Sequence, residues 1–136
     1  MTVKFSMALR QARAIAIRSA IDTGVLPSAT INFYTGTIPT VAGAAPTGIL
    51  LGTVTLATTS GSVTNGVLTF GAIADDISAD ASGLVGFARI LGDGGVFVMD
   101  VTVGAGQPIT MPNNNYNIVA GGVLKFNSLI ISEGNA

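Results

Sequence analysis

The chain has 136 residues, of which 10% are charged, with 6 basic against 7 acidic side chains and a formal net charge of −1. That length makes a single domain, 1–136, with room for a real core, and the near-neutral balance leaves no basic footprint for nucleic acid. Histidine and cysteine are both absent, which removes disulfides, thiolate metal sites and most routes to nucleophilic or general-base catalysis.

The first predicted element is a helix in SMALRQARAIAIRSAIDTG, so that residues 1–24 form a helical arm on a body of residues 25–136. Ser6 is placed to cap it, Ala and Leu favour it, and Gly24 followed by Pro27 closes it. The arm is basic: residues 1–22 hold Lys4, Arg10, Arg13 and Arg18 against Asp22, while the rest of the chain is acidic. At 100° per residue, Gln11, Arg18 and Asp22 fall on one narrow polar face, with Leu9, Ala12, Ala16 and Ala20 opposite, flanked by Ile17, Ile21 and Ile15. Arg10 and Arg13 sit inside the apolar arc. They either snorkel, with stems over apolar surface and heads in water, or help the helix to grip an acidic partner surface. The same arginines interrupt the segment that a signal peptide's apolar region would occupy, so assembly in the cytoplasm is expected.

After Pro27 the pattern is that of strands. ATINFYT (29–35) is β-branched and aromatic, and in ILLGTVTLA Leu50, Val54 and Leu56 alternate with Leu51, Thr53 and Thr55. Asn65-Gly66 before VLTFG is a hairpin turn signal. LVGFARIL and GVFVMDVTV form the clearest hairpin, turning at Asp93-Gly94, with Asp100 expected on the outer face and Arg89 opposite as its ion-pair partner. In VLKFNSLIIS (123–132) the alternation shifts phase after Ser128, which implies a bulge or a strand changing sheets. Six to eight strands between Gly, Asn and Pro turns imply an antiparallel β-sandwich or barrel with one N-terminal helix.

Two loops stand apart: GTIPTVAGAAPTG (36–48), with Pro39 and Pro46, and GAGQPITMPNNN (104–115), with Pro108 and followed by Tyr116. Loops this long are either mobile or ordered by contact with a neighbouring subunit. Asp75, Asp76 and Asp80 in IADDISADASG lack the ligand spacing of a calcium loop. They read as a solvated loop or as a docking patch for a basic partner. No cofactor or metal is expected, and an enzyme is not the expected class. Every apolar run is broken by Gly, Thr, Ser, Asn or Pro before the roughly 18–20 residues of a spanning helix, and with no Trp and 2 Tyr the chain lacks the girdles of a lipid-facing barrel.

The distribution of charge is the feature that bears on function. No Asp, Glu, Lys or Arg occurs from Thr23 to Ala74, or from Val101 to Leu124. A monomer of this size exposes on the order of 6,500 Å², which leaves roughly 500 Å² per charge, about the size of the largest apolar patch on a typical monomer. Much of the surface is therefore expected to be neutral, and part of it covered by a partner.

MALRQARAIAIRSAIDTG, INFYTGTIPTVAGAAPTG, the run FGAIADDISADASGLVGFARILGDGGVFVMDVTVG and the closing NSLIISEGN together resemble a family of small tailed-bacteriophage virion structural proteins. The matching pieces are INFYTG, Arg89-Ile90, Gly92-Asp93-Gly94, Val103-Gly104 and Glu133-Gly134-Asn135. The resemblance implies a capsid cement, or decoration, protein with a jelly-roll-like β-sandwich. Such a protein sits on the exterior of the icosahedral shell in the virion and bridges major capsid subunits, with the major capsid protein and its own copies (dimer or trimer) as partners. The interface residues expected on this reading are Arg10, Arg13, Arg18, Asp75, Asp76, Asp80, Pro39, Pro46, Pro108 and Tyr116. Two alternatives are a neck or tail-associated virion protein, present in few copies, and a host-surface or glycan-binding β-sandwich, for which Tyr116 is the stacking candidate.

Overall fold

A computed structural model describes residues 3–22, 29–71, 73–126 and 128–133. The helix α1 spans Met7–Asp22 and opens as expected, with Ser6 Oγ accepting a hydrogen bond from the Leu9 amide at 3.2 Å. Its expected stop signals, Gly24 and Pro27, lie outside the described residues.

Among the described residues eleven strands follow: β1 (Thr30–Tyr34), β2 (Leu50–Leu56), β3 (Gly61–Thr64), β4 (Val67–Phe70), β5 (Ile73–Ala74), β6 (Gly83–Leu84), β7 (Phe87–Leu91), β8 (Phe97–Thr102), β9 (Ile109–Thr110), β10 (Asn117–Ile118) and β11 (Ser128–Ser132). They form a five-stranded sheet ordered β5-β2-β1-β7-β8, a four-stranded sheet ordered β3-β4-β11-β9, and a small β10-β6 ribbon. Every pairing between these strands is antiparallel, and the isolated bridge from Val103, just past β8, to Ile109 of β9 is parallel. The chain is thus mainly β with one N-terminal helix, an arrangement consistent with a β-sandwich.

One contiguous apolar cluster joins both sheets and the helix, with Ile31, Phe33, Val54 and Ile90 from the first sheet, Leu68, Ile109 and Leu129 from the second, and Ile21 from α1. The turn signals read from the sequence shape it. Asn65 and Gly66 both have positive φ, 52° and 76°, the pair that a two-residue hairpin between β3 and β4 needs. The phase shift near Ser128 marks a change of partner. Leu124 bridges Asp76, beside the first sheet, whereas β11 belongs to the second.

The two long loops are placed differently. The 104–115 stretch contains β9 and a single 3-10 turn, Pro112–Asn114, and buries Ile109 and Met111 in the core. Its Gly, Pro and Asn residues shape a crossing from the first sheet to the second. The 36–48 loop lies on the outer face of the first sheet, where Tyr34 and Phe87 stack with ring centroids 5.3 Å apart.

Candidate interaction surfaces

Four segments carry the residues singled out in the sequence: α1, the 36–48 loop, the acidic turn near residue 76 and the 104–116 crossing. The helix is docked by its polar face. Gln11 Nε2 donates to the Val63 carbonyl at 3.2 Å, and Gln11 Oε1 accepts from the Gly66 amide at 2.9 Å. Asp22 Oδ1 accepts from the Ser60 amide at 3.0 Å. Arg10 Nε donates to the Glu133 carbonyl, and Arg13 pairs with the Glu133 carboxylate at 2.9 Å while its guanidinium lies 4.8 Å from the Phe5 ring centre. Two glycines admit the helix. A Cβ at Gly66 would meet Arg10 Cβ at 2.9 Å, and one at Gly92 would meet the Ala20 carbonyl oxygen at 2.9 Å.

The docked face is mixed: Ile21 and Ile17 pack on the core beside these polar anchors, while the rest of the apolar arc stays open. Only Ala14 and Ile21 of α1 are buried. Leu9 is 45% exposed and Ile15 37%, and Ala8, Ala12, Ala16 and Ala20 share that open side. Arg10 and Arg13 thus engage the chain's own Glu133, while Arg18, half-buried, has no ion pair among the described residues.

The 36–48 loop is held by the expected Arg89–Asp100 pair. The two residues are direct cross-strand partners; Arg89 Nε and Nη2 donate to Asp100 Oδ1 and Oδ2 at 2.8 and 2.9 Å, and Nη2 also reaches the Ala44 carbonyl at 2.8 Å. The guanidinium sits 4.9 Å from the Phe97 ring centre. Asp100 does lie on the outer face, but that face is covered, and its side chain is 5% exposed. The hydrogen bond to Asp100 raises the Arg89 pKa above its ordinary value against the opposing effect of burial. Pro39 and Pro46 are half-buried within this loop.

The acidic residues divide. Asp76 works inward, accepting from the Thr53 amide at 2.9 Å and the Ser78 amide at 3.0 Å, while Asp75 and Asp80 are exposed. Among the described residues no group of three or more His, Cys, Asp or Glu side chains is placed to hold a metal ion. Pro108 accepts the Ile130 amide on its carbonyl. Tyr116 is half-buried against the core rather than presented as a stacking platform, and its hydroxyl faces Asn114 Oδ1 at 3.4 Å.

A second apolar patch was not singled out in the sequence. Ile77 and Val123 flank the Asp76–Leu124 bridge, while Leu84 and Val119 belong to the neighbouring β6–β10 ribbon and its continuation. They are 79%, 60%, 60% and 68% exposed, respectively. Such clustering on short, irregular pairings has no periodicity from which to read it.

Comparison with known protein families, curated proteins and solved structures returns no match for this chain.

Proposed function

We propose that this protein is a non-enzymatic virion subunit, a phage capsid cement protein that binds the exterior of the shell and stabilises contacts between major capsid subunits. The observation that carries the reading is the outward apolar side of α1. Leu9, Ala12, Ile15 and Ala16 face away from a body to which the helix is fixed by hydrogen bonds from its polar side. A face anchored by polar groups and Ile21, with an apolar arc left open, suits a helix that works as an adaptor between its own domain and a second surface. The class of that surface comes from the resemblance to phage virion proteins. Each added subunit would bury neutral surface across a joint, and binding to the assembled shell alone stabilises the shell by linkage.

The test uses shells of the encoding phage from which the protein has been removed. Purified wild-type chain is expected to cosediment with them. Leu9→Glu/Ile15→Glu changes only exposed positions, so it is expected to keep its thermal midpoint and lose cosedimentation. Undiminished binding by a folded variant overturns the role given to the helix; absence of wild-type binding overturns the capsid reading.

A further inference from the structure

A sheet edge presents unpaired N–H and C=O groups, which proteins manage by shortening, covering or charging the strand. The larger sheets here have four edges, β5 and β8 in one and β3 and β9 in the other. β5 and β9 are two residues each. β3 is clasped by Gln11 of α1. β8 differs: it runs six residues, and among the described residues no backbone hydrogen bond joins it to any element but β7. It contains neither Lys nor Pro, and its one charge, Asp100, is turned to Arg89.

A groove of about 340 Å³ accompanies this strand, with Phe97, Val98, Met99 and Asp100 on one side and Ile38 and Pro39 among the residues opposite. Successive strand side chains point to opposite faces. A groove lined by four consecutive strand residues therefore follows the edge rather than either face. α1 also touches β8 but contributes no residue to the groove.

We propose that β8 is the joining edge of a homodimer, pairing antiparallel with β8 of a second copy across a two-fold axis so that the five-stranded sheet continues through the joint. A second copy fits for two reasons. An antiparallel pair is self-complementary under a two-fold, so one strand supplies both halves of the contact. The usual obstacle, like charges that symmetry brings face to face, is absent because Asp100 is neutralised within its own protomer by two hydrogen bonds from Arg89. A two-fold perpendicular to the sheet also keeps both outer faces on one side. The two 36–48 loops then meet over the joint, where Val41, 66% exposed, gains cover. This inference rests on the sheet edges and is independent of the capsid reading.

Sedimentation equilibrium of the full chain tests it together with hydrogen exchange of Phe97–Thr102. Wild type is expected to dimerise, with β8 amides gaining protection as concentration rises. Val96→Lys/Thr102→Lys places lysines at two exposed positions, one just before the strand and one at its last residue, and is expected to weaken the dimer about tenfold or more at low salt. If that variant fails to fold, the concentration dependence of wild-type exchange decides. A wild-type monomer at every concentration overturns the proposal, as does a dimer in which the lysines and the β8 amides show no response. A monomer that binds shells removes this inference and leaves the capsid reading; a dimer that ignores shells does the reverse.

Discussion

Arg89 and Asp100 were legible as a pair because Asp93-Gly94 sets a hairpin that brings them opposite each other. Their burial was not legible, because it depends on a loop with no periodic pattern that returns to lay the Ala44 carbonyl on the guanidinium. Removing one partner of a buried pair strands the other charge, which typically costs about 3–5 kcal/mol. Arg89→Met is therefore expected to lower urea stability by about that amount. Arg89→Met/Asp100→Leu is expected to cost less than the single change, since no charge is left unpaired. A double variant as damaged as the single one would show that packing, not charge, sets the cost. The pH dependence follows from the raised Arg89 pKa. A cation whose folded pKa is raised contributes fully below its unfolded value and loses that contribution only as pH rises through the folded value. Arg89's own contribution should thus stay constant from neutral pH to about pH 10, a comparison that wild type and Arg89→Met unfolded across that range will check.

At the scale of elements, α1 was readable as a helix down to its Ser6 cap, because capping is local chemistry. Its orientation was not. Its anchors are backbone groups distant in sequence, from Ser60, 38 residues beyond Asp22, to Glu133, 123 residues beyond Arg10. Three-dimensional partners of this kind give a polar face a reason to turn inward that no helical wheel contains. Gln11 is the clearest case, because it satisfies one acceptor and one donor of the β3–β4 hairpin at once. Gln11→Ala is expected to destabilise the fold by about 1–3 kcal/mol in chemical unfolding, at roughly 0.5–1.5 kcal/mol per net hydrogen bond. A change near zero would mean that the helix is held by its other anchors, Ile21, Arg10, Arg13 and Asp22 among them. The hairpins at Asn65-Gly66 and Asp93-Gly94 were equally legible, since positive φ selects Asn65 and Gly66 in the first and Gly94 and Gly95 in the second. β9 was hidden inside an apparent loop because it is two residues long, below what alternation can reveal.

The whole molecule presents 7224 Å² of surface, and the burial of Arg89 and Asp100 leaves still fewer charges on it than the sequence suggests. Low charge density opposes free diffusion at high concentration and favours contact. The neutral side of α1, the patch around Ile77 and Val119, and the open β8 edge are three places where such contact costs little desolvation of charge. The composition announced that such surfaces exist, but only the folded chain locates them. Together they motivate the reading of a subunit fixed into a lattice, and lattice membership has a direct measure. On the proposed capsid reading, the number of copies per virion, determined by quantitative mass spectrometry against the major capsid protein, is expected to be near one per capsid subunit or a simple fraction of it. A handful of copies per particle would contradict a cement protein and move the chain to the neck or tail.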